Sequence, residues 1–274
     1  MVLFRATKTC KQLFVAISNQ AMNIHFLNIF FVTGGTSEME DSLDMNARFN
    51  NELEAFILGL GATFVGTSNV VNCLPDELKK YQYAISFGIR LSDAIIDEIE
   101  DKPTFTYFNH YRSVNTMIDQ LSLRIVLALN QKGYDAYSIA ASQSIPASKV
   151  SYSGIFPHKT GAVLAGLGWI GKNGLFIHKE YGPRVRLGTV LTNLEVACNN
   201  TIMESQCGVC NRCVNSCPAL ALTGKEWTVG TERSHIIDAK ACSEYMNQKF
   251  KHIGRGSVCG VCIKVCPYKY ATSR

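Results

Sequence analysis

The chain has 274 residues, of which 47% are hydrophobic and 18% charged, and it carries 11 cysteines and a net charge of +5. This size and composition are typical of a globular protein with one large domain or two modest ones. They exclude wholesale disorder and a small disulfide-stapled scaffold. The positive charge is concentrated at the end: residues 207–274 carry 10 Lys and Arg against 4 Asp and Glu, while residues 1–206 are close to neutral.

Residues 1–45 differ from the rest of the chain. Residues 1–36 contain no Asp or Glu, and the apolar run 24–32 is too short to span a bilayer. Basic, acid-poor segments of this kind occur in transit peptides, and short apolar runs occur in signal peptides. We favour a simpler interpretation, in which the native chain begins at Met39 or Met45, because the globular pattern starts only after them. We therefore expect an N-terminal extension over 1–45 and no membrane span.

From residue 46 onward, helix and strand patterns alternate. Helically spaced apolar residues, caps and glycine stops predict helices over 47–60, 92–100 and 113–131 and a helical turn at Pro75. Short apolar runs predict strands over 62–66, 83–89, 137–140 and 184–191. This alternation predicts an α+β fold, with an α/β-like layered domain over 46–198 and a cysteine-rich module over 199–274.

The segment Gly166 to Gly171 fits the pattern G-x-G-x-x-G. A dinucleotide-binding loop with this pattern follows a strand and opens a long helix. Here a helix-like segment over 159–165 precedes the glycines and a turn at Pro183 follows them, which argues against that use. We expect instead a close backbone approach, to a ligand or to another loop, that only small residues allow.

The cysteines of the last segment follow a recognisable spacing. Cys207-x2-Cys210-x2-Cys213-x3-Cys217-Pro is the bacterial ferredoxin run, and Cys259-x2-Cys262-x3-Cys266-Pro is a shortened second copy whose missing ligand Cys242 can supply. In such runs the fourth cysteine ligates the other cluster. The spacing therefore predicts a ferredoxin-like module with two [4Fe-4S] clusters. Cluster 1 takes Cys207, Cys210, Cys213 and Cys266, and cluster 2 takes Cys217, Cys242, Cys259 and Cys262.

Other uses of eight clustered thiols were weighed. Two zinc sites would need the same number of thiolates, but they have no use for a third cysteine two residues on or for the following proline. Disulfides are disfavoured, because clustered thiols of this kind are typical of a reducing compartment, and we expect a cytoplasmic protein. The basic charge of this segment offsets the negative charge of metal-bound thiolates, so contact with tRNA or another nucleic acid stays open.

The segments 165–173 (AGLGWIGKN) and 182–193 (GPRVRLGTVLTN), followed by the two cysteine runs in this order, resemble epoxyqueuosine reductases. These iron–sulfur and cobalamin enzymes are akin to reductive dehalogenases, and they reduce the epoxide of epoxyqueuosine in tRNA. The resemblance implies a cobalamin-binding domain of the nitroreductase type. It also implies a reduced ferredoxin or flavodoxin-type donor and electrons that pass from cluster to cluster to cobalt. It places the cofactor near Gly166, Gly168, Trp169, Gly171, Lys172 and Asn173.

The chain departs from that family at one catalytic position. The family's acidic proton donor follows the strand predicted over 137–140, where this chain has Ala141, Ser142 and Gln143. Tyr152 and His158, with Lys159 beside them, are candidate replacements because a proton donor is needed near the substrate. Each of these residues also has a simpler role: Tyr152 as a packed aromatic, His158 as a helix cap and Lys159 as a solvated side chain. A second hypothesis therefore stays open: a ferredoxin-type electron-transfer or docking protein without its own cobalamin chemistry.

Overall fold

The computed structural model describes residues 40–143, 152, 154–198, 201–254 and 258–268, with side chains from Asn50 onward. Met39 and most of the predicted extension lie outside these residues, whereas Met45, the other predicted start, lies within the first described helix. The first described helix begins at Glu40, ahead of the expected start of the globular part. The compact unit that contains the cysteine segment begins at Asp44.

Seven α-helices and six strands can be named in the described part of the chain, with single turns of 3-10 helix between some of them. The helices are α1 (Glu40–Gly59), α2 (Asp93–Asp97), α3 (Phe105–Gln131), α4 (His158–Leu164), α5 (Arg212–Asn215), α6 (Ala239–Lys249) and α7 (Val261–Lys264). The strands are β1 (Phe64–Asn69), β2 (Tyr83–Arg90), β3 (Ala136–Ile139), β4 (Gly168–Ile170), β5 (Phe176–His178) and β6 (Val185–Thr192).

Four strands form one sheet in the order β1-β2-β6-β3, and every neighbouring pair is antiparallel. Because none of these pairs is parallel, the fold is α+β rather than a doubly wound α/β sheet. Strand β2 is buried along almost its whole length, as its largely apolar sequence predicts. The strands β4 and β5 form a separate antiparallel hairpin.

Helices cover the sheet on both faces. Ile85 and Phe87 of β2 pack into a core with α1 and α3, whereas Ala84 belongs to a second core on the opposite face. On that second face α4 lies very close to the sheet: a Cβ added at Gly161 would lie 2.5 Å from the Ser86 hydroxyl oxygen. The small residues of β2 therefore make room for α4, which begins at the edge of the candidate site.

Helix α3 begins well before the start predicted at Ser113. The Thr104 side chain caps it by accepting a hydrogen bond from the backbone N–H of Tyr107 at 3.0 Å. The predicted start was wrong because an apolar stripe locates the middle of a helix better than its cap. The stripe itself is buried as expected, except for Met117, which is 38% exposed.

The cysteine segment is joined to the sheet by a buried arginine. Arg184, just before β6, is fully buried, and its guanidinium donates to the carboxylates of Asp93 at 2.8 Å and Asp97 at 2.7 Å. Lys264 of α7 donates to the same Asp97 oxygen at 3.0 Å. This network therefore ties β6, α2 and the second cysteine run together.

The second cysteine run also shares apolar packing with the sheet. Val258 and Val261 belong to the core formed by α1, α3 and β2. In the part of the chain that the structure describes, we find no helix with the length and apolar character needed to cross a bilayer.

Candidate metal centre and adjoining cavity

Four cysteines from both runs surround one small cavity. Cys207, Cys210, Cys213 and Cys266 line it, together with Lys172, Asn173, Ile177, Pro267 and Tyr268. Burial first, and then the nearby thiols of Cys207, Cys213 and Cys210, raise the pKa of the Cys266 thiol to about 12. These four residues are the predicted ligands of cluster 1, and the structure brings them together.

The other four cysteines form a second group. Burial, and then the neighbouring thiols of Cys217 and Cys259, raise the pKa of Cys242 to about 11. The pKa of Cys262 is also raised well above its usual value, by burial first and then by Cys259, Cys242, Cys213 and Cys217. The grouping is the one predicted for cluster 2. The two groups adjoin, because helix α5, which carries Cys213, contacts helix α7, which carries Cys262.

Every cysteine in the described part of the chain has a free thiol. Eight of them are grouped around two centres, and the thiols of each group disfavour one another's ionisation. Bound iron offsets that repulsion, because thiolates are the ligands that iron–sulfur clusters use. The donor set thus fits two clusters of four ligands each.

The turn between β4 and β5 reaches both cysteine runs. Lys172 is 6% exposed, and its Nζ donates to the Gly208 carbonyl oxygen at 2.5 Å and to the Asn211 Oδ1 at 3.3 Å. Asn173 is buried too, and its Nδ2 donates to the Cys262 carbonyl oxygen at 3.5 Å. A hairpin turn normally carries solvated side chains, so this one is built into the cysteine module instead.

The remaining residues of the glycine motif pack inside the same hairpin. A Cβ at Gly168 would overlap the Ile177 carbonyl, so the close approach expected here is made to the neighbouring strand. Trp169 packs with Ile177 and Cys266 and lies edge-on to the Tyr268 ring, with centroids 5.3 Å apart. The motif also contains Gly166, which has a φ of 67°, and Gly171, whose added Cβ would lie 2.9 Å from the Asn173 amide oxygen.

A cavity of about 920 Å³ lies on the other side of the hairpin. Its walls come from the end of β3, the start of α4, β5, β6 and the segment 227–237. Its apolar lining includes Ile155, Ile170, Phe176 and Leu187, and also Ile263, the sequence neighbour of Cys262. The volume is at the upper end of the range for small-molecule sites.

None of the six residues predicted to bind a cofactor is among the described residues that line this cavity. Gly166, Gly168, Trp169, Gly171, Lys172 and Asn173 lie in the hairpin or against the cysteine runs, while Ile170 and Gly174 of the same hairpin form part of the wall. A cofactor-binding role for these six stays a prediction.

Both predicted proton donors line the cavity. The ring of His158 is held at both nitrogens: Nε2 lies 3.0 Å from the Ala140 carbonyl oxygen, and Nδ1 lies 2.9 Å from the Thr189 hydroxyl. Because a carbonyl only accepts, Nε2 carries the proton and Nδ1 accepts from Thr189. Burial lowers the pKa of His158, so the neutral ring has its proton engaged. Tyr152 is 41% exposed with a φ of 61°, and its carbonyl accepts from Arg233 at 2.7 Å.

Lys159 also lines the cavity, from the first turn of α4. Its Nζ donates to the Gly174 carbonyl oxygen at 2.6 Å. Burial, followed by the nearby charge of Arg233, lowers the pKa of Lys159 to about 8. Close to neutral pH this side chain therefore has a proton that it gives up more readily than an ordinary lysine does.

Two further polar groups in the cavity, Asp119 and Arg186, have no recognisable signal in the sequence. Asp119 of α3 accepts a hydrogen bond from the backbone N–H of Ala141 at 2.8 Å, and no other Asp or Glu lines the cavity among the described residues. The Arg186 guanidinium donates to the Asn115 Oδ1 at 2.9 Å and lies over the Tyr111 ring. Asp119 therefore places a carboxylate beside the position where the resembling family has its acid.

Comparison with known proteins agrees with the donor set. Residues 206–269 match the family model described as a 4Fe-4S double cluster binding domain. The chain is thus an iron–sulfur protein, with a two-cluster segment packed against an antiparallel α+β layer. The match also decides between clusters and zinc in favour of clusters.

Within that class, the chain is similar to epoxyqueuosine reductases. It is 36% identical to the epoxyqueuosine reductase of Lactococcus garvieae over 118 residues, which cover 39% of this chain and 30% of the relative. A solved epoxyqueuosine reductase with an epoxyqueuosine-modified tRNA stem loop shares the fold, with a TM-score of 0.52 at 17% identity over 81% of this chain and 66% of that one.

The fold is also that of a solved reductive dehalogenase, described as suggesting a mechanism for B12-dependent dehalogenation. The TM-score is 0.62 at 19% identity, over 81% of this chain and 32% of that one. In four of the curated epoxyqueuosine reductases that this chain matches, the matched segment spans less than half of the protein, between 27% and 49% of its length.

Proposed function

We propose that this protein is an iron–sulfur oxidoreductase in which electrons pass from cluster 1 to cluster 2 and then to an acceptor in the large cavity. The observation that supports this most directly is the lining of the cavity, which includes Ile263, the sequence neighbour of the proposed cluster 2 ligand Cys262. The two cysteine groups adjoin through Cys213 and Cys262. The three parts therefore form a continuous route.

The direction of the route follows from exposure. Val209, between two ligands of cluster 1, is fully exposed, and Arg212 and Asn215 of α5 are exposed beside it. Cluster 1 is thus the centre that a partner can approach, while cluster 2 lies next to the cavity. A reduced ferredoxin or flavodoxin-type protein is the proposed donor. The cytoplasm is the proposed location, because it keeps such a donor and the eight thiols reduced.

Cobalamin is the proposed occupant of the cavity, in a domain of the nitroreductase type. The cavity is large, and its walls are mainly apolar, with polar and charged side chains such as Lys159 and Arg186 among them. Ile170, Phe176 and Leu187 would pack against the macrocycle, and Lys159 and Arg186 would meet its polar edge. When bound, cobalamin would supply a cobalt centre that accepts electrons and delivers them to a substrate.

The proposed substrate is the epoxide of epoxyqueuosine in tRNA. Reducing an epoxide to an alkene consumes two electrons and two protons and releases the oxygen as water, so the cavity must hold proton donors. Lys159 fits this role better than His158, because its ammonium has further protons besides the one donated to Gly174, whereas the ring proton of His158 is engaged with Ala140. Asp119 stays a candidate for passing a proton on, because its carboxylate lies at Ala141. Tyr152 stays a candidate because it lines the cavity.

In the test of this function, the chain is reconstituted anaerobically with iron and sulfide, and cobalamin is then added. We expect broad iron–sulfur absorption, followed by one equivalent of retained corrinoid and, with a reduced donor, conversion of an epoxyqueuosine-containing tRNA stem loop. Ile155→Trp would narrow the cavity and should reduce corrinoid retention, whereas Leu123→Trp on the exposed face of α3 should not.

The outcomes separate the two hypotheses. Clusters without corrinoid retention would refute the cobalamin reductase and favour an electron-transfer or docking protein. Corrinoid retention with no conversion of the stem loop would leave the reductase class standing and refute the substrate.

A further inference from the structure

Lys172 is a buried cation in a place where lysines are usually solvated. It lies in the turn between β4 and β5, yet it is 6% exposed, because residues of the first cysteine run cover it. The turn is held in shape by the Asn173 Oδ1, which accepts from the Leu175 N–H at 3.0 Å, and by the Gly171 carbonyl, which accepts from the Gly174 N–H at 2.8 Å. The side chain is therefore aimed at the cysteine run by a rigid turn.

Both hydrogen-bond partners that Lys172 has among the described residues are neutral. Its ammonium donates to a backbone carbonyl at Gly208 and to a side-chain amide at Asn211. None of the ion pairs formed by the described residues includes Lys172. Burying a charge without a counter-charge is costly. An anion close to this ammonium would remove that cost.

The loaded cluster 1 would be such an anion, and its ligands line the same cavity as Lys172. Lys172 lines the small cavity together with the four ligands of cluster 1, Cys207, Cys210, Cys213 and Cys266. Four thiolates outweigh the charge of the iron and sulfide that they hold, so the loaded site is negative. The lysine and the cluster are thus complementary parts of one site.

We propose that Lys172 is the counter-ion of cluster 1 and raises its reduction potential. Adding an electron makes the cluster more negative, and a nearby positive charge stabilises that reduced form. Lys172 thereby favours entry of electrons at the exposed cluster. The proposal concerns cluster 1 alone, so it holds whatever the large cavity binds.

The test is a redox titration of the anaerobically reconstituted full chain, followed by electron paramagnetic resonance. The signal of cluster 1 is the one that disappears in Cys210→Ala. In Lys172→Met we expect the equilibrium constant for reducing cluster 1 to fall about tenfold, which corresponds to about 59 mV for a one-electron couple. Lys172→Arg should restore most of the shift. Lys179→Met removes an exposed lysine from the end of the same hairpin and should leave the potential unchanged.

A second neutral variant separates charge from packing. Lys172→Gln keeps an N–H donor for the Gly208 carbonyl and loses only the charge, so it should lower the potential of cluster 1 as Lys172→Met does. Unchanged potentials in both neutral variants, at full iron content, would overturn the proposal. If the neutral variants lose cluster 1, retention by Lys172→Arg supports the proposal, and loss from Lys172→Arg as well overturns it.

Discussion

The buried arginine that joins the sheet to the cysteine segment offers a stringent test. Replacing Arg184 by Met removes the guanidinium and leaves an unbranched apolar chain in a fully buried place. Both carboxylates lose their shared partner, but neither is left alone: Asp93 keeps Arg90, and Asp97 keeps Lys264. The variant therefore weakens the network without leaving a buried charge unpaired.

The expected loss follows from the bonds removed. Each hydrogen bond to a charged group contributes about 1.5–3 kcal/mol, so the two direct bonds from Arg184 contribute about 3–6 kcal/mol before other terms. Burying a guanidinium has a desolvation cost that burying a Met side chain avoids, and this difference offsets part of the loss. We expect the free energy of unfolding to fall by about 3 kcal/mol. For a chain of this size that lowers the melting temperature by about 6–12 °C.

Circular dichroism melts and urea titrations of the reconstituted protein, matched for iron content, would measure the change. Lys80→Met is the matched control, because it breaks an ion pair with Asp135 whose side chains are both 60% exposed. Such a pair contributes under about 1 kcal/mol. Arg184→Lys should fall between wild type and Arg184→Met, because one ammonium cannot bridge two carboxylates as a guanidinium does. Equal stability of Arg184→Met and Lys80→Met would refute the reasoning.

Three further outcomes follow from the structure. Burial lowers the pKa of Lys159 to about 8, so an epoxide reduction that uses its proton should slow about tenfold per pH unit above that value; Lys159→Met should remove this limb of the pH–rate profile. Burial, and then Lys179, lower the pKa of His178 to about 4. The unfolded chain therefore binds a proton below about pH 6.5 that the folded chain refuses, and stability falls as pH drops towards 4, by up to about 1.4 kcal/mol per unit. The urea midpoint of the wild type should therefore be higher at pH 7 than at pH 5. Part of that difference should disappear in His178→Phe, and all of it should remain in a variant of the exposed His235. Gly168→Ala should destabilise by about 1–3 kcal/mol because its Cβ overlaps the Ile177 carbonyl. Gly59→Ala, with nothing within 4 Å of its Cβ, should be neutral or stabilising in the same melts.

Local patterns predicted the parts of this molecule whose causes are local. Strand β2 follows from a largely apolar run, and the cysteine spacing predicts which thiols gather around each centre because a tight loop leaves few other arrangements. The burial of Lys172 has no local cause. Its sequence neighbours indicate a turn, and only the packing of the first cysteine run over that turn removes the lysine from solvent.

The proton donors show the same limit. The sequence makes His158 a candidate proton donor because an ordinary histidine titrates near neutral pH. In the structure, both ring nitrogens are already hydrogen-bonded, to the carbonyl of Ala140 and the hydroxyl of Thr189. Asp119 looks like an ordinary polar position on an amphipathic helix. It becomes a candidate because α3 crosses the end of β3 and brings that carboxylate to Ala141. Such placements depend on contacts between distant segments, and the periodicity of apolar residues in the sequence does not reveal those contacts.

The hairpin of β4 and β5 explains how one small motif can serve two different sites. Its turn faces the cysteine runs through Lys172 and Asn173, while Ile170 and Phe176 of its strands face the large cavity. The hairpin thus separates cluster 1 from the cavity. In the proposed route, an electron that enters at cluster 1 would reach the cavity by way of cluster 2, beside Ile263 of the cavity wall. The residues proposed to carry electrons are therefore distinct from those proposed to hold substrate and protons. On this proposal, a changed acid beside β3 would alter the chemistry of the cavity and leave the route of the electrons intact.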